Sequence, residues 1–134
     1  MSACVLDTDV VIGALDRRDA HHDDAGRTIL RLLDDGVTLH LCVVNYAEAL
    51  VKPAEDKRTL RRAVDAITAL RIELHAPDPA IGREAARLRG LGVSLADGFA
   101  LATAGRLGAE IASFDERVRT AARKIGLALA AEQS

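Results

Sequence analysis

The sequence predicts an α/β fold, a parallel sheet with helices on both faces, and three observations carry that expectation. Short apolar runs alternate with stretches of helical spacing from end to end. Nothing repeats, and no low-complexity linker divides the chain. The 134 residues, 49% of them hydrophobic, suffice for one core and leave no room for a second, so residues 1–134 are expected to form a single domain.

ACVLDT (3–8) is short, apolar and partly β-branched, and reads as a buried strand. From Asp9 the spacing turns helical, with Val10, Val11, Ala14 and Leu15 on one side and Asp9 placed to cap the start. DRRDAHHDDAG (16–26) is polar, and Thr28 to Leu33 then supply an apolar helical face that should end near Asp35-Gly36. VTLHLCVV (37–44) is the longest strand candidate. Asn45 opens a short helix that Pro53 closes, and Asn45 and Glu48 have the spacing of a capping box. Leu60, Ala63, Val64, Ile67 and Leu70 mark a helix over 57–71, and IELHA (72–76) a short strand ended by PDP (77–79). One helix follows to about Leu91, and another runs from Ala96 or Asp97 to Leu107. EIAS (110–113) is a strand, Asp115 to Ile125 a helix and LALA (127–130) a last weak strand.

Composition removes several classes. No stretch approaches the roughly 18 uncharged apolar residues of a membrane span, and no basic region precedes the first apolar run as in a signal peptide. Cys4 and Cys42 sit in strand-like runs without a CxxC pattern, which suits small buried hydrophobes in a reducing cytoplasm. A net charge of −2 and few aromatics do not announce a nucleic-acid binder. Yet only Lys52, Lys57 and Lys124 are lysines; the other basic residues are arginines, suited to phosphate. Arg58, Arg61 and Arg62 read first as a solvated helix face and second as an RNA contact.

The acids are the informative residues. In VLDTDVVIGAL (5–15), Asp7 and Asp9 interrupt a run that looks ready for burial, where an unpartnered carboxylate costs several kcal/mol or shifts its pKa. Asp97 in SLADGFALATAG and Asp115 in SFDERV both stand where a helix starts, so capping explains each one singly. Together, Asp7, Glu48, Asp97 and Asp115 each lie at a strand-to-helix junction or in a helix's early turns. In a parallel sheet those junctions converge on one edge, where ligands bind. Two carboxylates about 4 Å apart repel by about 4 kcal/mol even at an effective dielectric of about 20, so the group must be protonated or hold a cation. Oxygen ligands without His or Cys point to Mg²⁺ or Mn²⁺. His21-His22-Asp23-Asp24 is less apt, because adjacent helix residues point about 100° apart, and His40 and His75 alternate with apolar residues as structural strand positions.

LDTDVVIGAL, VVNYAEAL, LADGFALATA and SFDERV, in that order, resemble the four acidic motifs of the PIN-domain ribonucleases. In size and motif spacing the chain is similar to the VapC-type toxins of bacterial toxin–antitoxin pairs, over nearly its whole length. The resemblance implies a PIN-like three-layer α/β/α sandwich with sheet order 3-2-1-4-5 and a metal-dependent endoribonuclease cutting single-stranded RNA. It implies Asp7, Glu48, Asp97 and Asp115 as the catalytic and metal-binding acids, with Thr8, Asp9 and Ser113 as neighbours that orient them. It further implies a cognate VapB-type antitoxin whose tail covers the acidic edge, and a homodimer, with which the apolar helix 57–71 is consistent. Asp9 stands where the family more often has Ser or Asn, Asn45 where Ser or Thr is common, and Ser113 where Thr is usual.

Rival readings remain open. Asp-x-Asp after a first strand also resembles haloacid-dehalogenase-type phosphohydrolases of small molecules, which need a later Lys that this chain places poorly. A receiver-type phosphoacceptor module would need an acceptor such as Asp78 and a Lys after the last strand, where none occurs. A PIN-like module that binds RNA or protein without cutting is the third.

Overall fold

The computed structural model describes residues 2–130. Its strands are β1 (Ala3–Leu6), β2 (Thr38–Cys42), β3 (Glu73–His75) and β4 (Glu110–Ala112). Its helices are α1 (Thr8–Leu15), α2 (His22–Asp34), α3 (Val43–Leu50), α4 (Lys57–Ala69), α5 (Pro79–Leu88), α6 (Leu95–Leu107) and α7 (Glu116–Lys124). Every strand pair is parallel, in the order β3-β2-β1-β4. LALA contributes a single parallel bridge, Leu129 to Ile111, so the expected fifth strand occupies its place in the order 3-2-1-4-5 with one rung.

Period-two alternation splits the core into two layers of contacts. Cys4 and Leu6 of β1, Leu39 and Leu41 of β2 and Ala112 of β4 pack with Val10, Val11, Ile29, Leu32, Ala49 and Ile67 from α1 to α4. Val5 and Ile111 face the other way, against Ile81, Leu88, Leu101, Val118 and Ala122 from α5 to α7. The α/β/α sandwich follows from that split. At the α5–α6 crossing Gly98 permits close approach, since a Cβ there would lie 2.7 Å from the Ala85 carbonyl oxygen.

Four local expectations need correction. β1 ends at Leu6, and Asp7, not Asp9, is the N-cap of α1, because the chain turns two residues sooner than the apolar pattern suggests. α2 begins at His22, six residues before the expected apolar face, its first turn carrying Asp23 and Asp24 near the positive end of the helix dipole. α3 starts at Val43, directly after β2, so Asn45 lies within the helix and forms no capping box with Glu48. Asp97 is not a cap but the third residue of α6; Ser94 is the cap, and the two form a reciprocal capping box. Asp115 does cap α7. No helix among the described residues is long and apolar enough to cross a membrane.

Candidate active site

Asp7 continues β1 by one residue, its N–H donating to the Ala112 carbonyl at 2.9 Å. This carries its side chain to the carboxyl edge of the sheet, only 2% exposed. Oδ1 accepts the Thr8 N–H at 2.9 Å and Oδ2 accepts the Ser113 hydroxyl at 2.7 Å. Those bonds favour the anion, but burial outweighs them, and the charges of Asp9 and Asp97 act with burial. The carboxyl is pushed up to about 8.

Asp9, in the first turn of α1, faces the same edge. Its Oδ2 accepts the Phe114 N–H at 3.0 Å, while Oδ1 is buried without a hydrogen-bond partner. Burial raises its pKa to about 6 against the Phe114 N–H and the His21 charge, and Asp115 pushes it up further. His21 itself stacks on Phe114, ring centroids 4.5 Å apart.

Asp115 reaches the group through the segment after β4. The Ser113 hydroxyl accepts the Asp115 N–H at 3.1 Å while donating to Asp7, so one small side chain couples the two acids. The Asp115 Oδ1 accepts the Arg117 N–H at 2.8 Å. Asp97, half-buried, arrives from the opposite layer on α6, held by Ser94 at 3.1 and 3.3 Å.

Asn45 was expected only as a helix start. It is fully buried, and its Nδ2 donates to Thr8 Oγ1 at 3.1 Å and to the Ala96 carbonyl at 3.0 Å. It thereby ties α3 to the residue after Asp7 and the residue before Asp97, and its Oδ1 is left buried without a partner. Glu48, expected as the second acid of the site, lies one helical turn beyond Asn45 on α3 and is exposed. Asp7 feels the charges of Asp9 and Asp97, and Asp9 that of Asp115, so these four acids form one electrostatically linked group.

An all-oxygen donor set containing two orphaned buried oxygens and two carboxyls raised by burial and mutual repulsion fits a hard divalent cation. The acids are not tightly drawn together, however. Among the described residues, the group whose three ligand atoms lie within 4.8 Å of one another is His40, Glu73 and His75, elsewhere on the sheet.

Other expected positions resolve plainly. The Asp78 carboxylate caps α5 and pairs with Arg106 at 2.9 and 3.2 Å, so it is a structural ion pair rather than a phosphoacceptor. His22 sits 2.7 Å from the Gly13 carbonyl, and with His21 on Phe114 the two rings serve separate contacts. Arg58, Arg61 and Arg62 are exposed along α4. The large exposed apolar side chains among the described residues are Leu30, Leu33, Val43, Val51, Leu74 and Leu95, none of them on α4.

Residues 4–124 match the family model of the PIN domain. No curated protein matches the sequence at a significant level. Among solved structures, the chain superposes on VapBC2 of Rickettsia felis, bound to a DNA fragment from its promoter, with a TM-score of 0.70 and 18% identity over 95% of this chain and 96% of that one. It superposes on VapC20 of Mycobacterium tuberculosis, a toxin that cleaves the sarcin–ricin loop, with a TM-score of 0.71 and 14% identity over 88% and 94%. VapBC-1 of nontypeable Haemophilus influenzae gives 0.67 and 17% over 95% and 96%.

Proposed function

Because the chain belongs to the PIN-domain family, we propose that it is a divalent-metal-dependent endoribonuclease of the VapC toxin type, a single domain over residues 1–134 that cuts single-stranded regions of RNA. The observation that carries this reading is Asp7. It is a buried carboxyl at a strand end, opposed by two neighbouring carboxylates and held only by N–H and O–H donors.

Asp7, Glu48, Asp97 and Asp115 are the residues that would hold Mg²⁺ or Mn²⁺. When bound, such a cation lowers the pKa of a coordinated water and neutralises charge gathering on the scissile phosphate. The chain's own residues do the positioning. Ser113 fixes Asp7 against Asp115, Asp9 pins the Phe114 backbone, and Asn45 locks α3 between Thr8 and Ala96. A carboxylate oxygen left free accepts the proton of the attacking water.

The antitoxin complexes among the structural neighbours support a VapB-type antitoxin as partner, and the RNA-cleaving neighbour supports RNA as substrate class. A homodimer and a cytoplasmic location complete the reading; buried free thiols at Cys4 and Cys42 suit a reducing compartment.

The test is cleavage of a mixed RNA pool by purified protein with Mg²⁺ or Mn²⁺, with EDTA, and with Asp7→Asn protein. Cutting should require both metal and Asp7. Cutting that persists in EDTA or in the variant contradicts the reading, and RNA binding without any cutting favours the non-catalytic module.

A further inference from the structure

The sheet carries a second group of metal-ligand chemistry, far in kind from the acidic edge. Parallel register sets His40 of β2 beside Glu73 of β3, and Cys42 beside His75. Residues two apart share a face, so His40, Glu73 and His75 project to the same side of the β2–β3 edge. That side is the one occupied by Val5, the register partner of His40, and so belongs to the α5–α7 layer. The His40 Nδ1 lies 2.8 Å from the His75 Nε2 and 3.7 Å from a Glu73 carboxylate oxygen.

We propose that His40, Glu73 and His75 form a binding site for a zinc-class divalent transition metal, independent of the acidic edge. Two imidazole nitrogens and one carboxylate, with a fourth position open, are a donor set that suits Zn²⁺ and not Mg²⁺.

The surroundings of His40 support a built site. The Thr38 hydroxyl is 3.3 Å from the Ser2 carbonyl, to which it donates, and 2.8 Å from the His40 Nε2. The Thr38 oxygen can accept an Nε2–H of His40 while its own proton goes to Ser2, and the tautomer that makes both bonds turns the Nδ1 lone pair toward His75 and Glu73. Metal-bound histidines are oriented in this way, by an oxygen that accepts the ring's other N–H. His40 is 8% exposed and so held in place, while His75, at the end of a three-residue edge strand, is half-buried and Glu73 exposed.

In the metal-free chain the His75 Nε2–H donates to the His40 Nδ1. Coordination requires the His75 proton to move to its own Nδ1, freeing Nε2 as a ligand. Bonds of about 2.0–2.1 Å in a tetrahedron set ligand atoms about 3.3 Å apart, so the His75 ring must move by roughly 0.5 Å. The accessible edge leaves room for that. The metal would clasp β3, which among the described residues pairs with β2 alone, to the rest of the sheet.

Calorimetric titration of purified protein with Zn²⁺, in excess Mg²⁺ that occupies the acidic edge, tests the site. One saturable zinc per chain is expected under those conditions, and it remains in Asp7→Asn protein. His75→Ala should abolish it, and Thr38→Val should weaken it by about tenfold or more, the cost of losing an orienting partner. If His75→Ala protein does not fold, the Thr38→Val comparison, on an exposed strand residue, decides alone. Absence of saturable zinc binding, or equal binding by wild type and these variants, overturns the proposal. His75→Ala protein should still cut RNA, so failure of the zinc site and failure of the nuclease reading are distinguishable.

Discussion

Asp7 and Asp78 begin alike. Each follows a strand, each is the N-cap of a helix, and each accepts a backbone N–H from that helix at 2.9 Å. Their environments then drive them apart. Asp78 is exposed and paired with Arg106, whose guanidinium together with the cap bond pulls its pKa down to about 2. Asp7 is buried beside other carboxylates and is pushed up to about 8. Arg106 and the cap bond together satisfy Asp78. Asp7 caps a helix too, yet the chain offers its ionised form no balancing charge, so without a cation it keeps its proton up to about 8. The position of an acid in the sequence therefore does not tell how its charge is balanced; the surplus of negative charge after all local bonds are counted marks Asp7 as the candidate functional carboxylate.

The sharpest break of that comparison is in activity. Asp7→Asn should lower RNA cleavage by more than about 100-fold, the scale of a group that handles charge or protons in the transition state. Asp78→Asn should cut like wild type and scarcely move the melting temperature, since exposed pairs contribute little. Paired kinetics on the two variants check this.

Next in size is the packing that brings Asp97 to Asp7. Gly98→Ala places a methyl against the Ala85 backbone and should cost about 1–3 kcal/mol in denaturant unfolding, the range for overpacking. Asn45→Ala removes two bonds that join α1, α3 and α6. It should cost about 1–3 kcal/mol for the groups left unsatisfied, with cleavage reduced further than stability alone explains.

The most diagnostic effect is on pH dependence. Folded Asp7 keeps its proton up to about 8, while the unfolded chain releases it near the ordinary 3.8. Between those values the folded state binds more protons, so metal-free stability should fall as pH rises through that window. Asp9, at about 6, adds the same sign over the lower part. Asp78 acts oppositely, its contribution being lost as pH falls toward about 2. Urea midpoints measured in EDTA at intervals from about pH 5 to about pH 8 should decline for wild type and flatten for Asp7→Asn.

The alternation of elements, the two-sided sheet and the placing of Asp7, Asp97 and Asp115 at a strand end and near helix starts were legible in the sequence. Charge that interrupts apolar strand ends is a local signal. Three other features were not. The apolar run through Cys42 and Val43 crosses a strand-to-helix junction without changing hydrophobicity, so the true start of α3 and the inward role of Asn45 were hidden. The first turn of α2 is polar because it faces solvent and the helix dipole, and it carries no apolar period. His40, Glu73 and His75 meet only through the β2–β3 register, which no single segment reveals.

The claim at the centre is that the surplus charge around Asp7 is balanced by a divalent cation. The most direct measurement is the titration of the Asp7 carboxyl by carboxyl-carbon NMR, in EDTA and in saturating Mg²⁺. A midpoint near 8 in EDTA that falls below neutrality when Mg²⁺ is added is the predicted result. The same midpoint in both conditions would contradict a cation at this site.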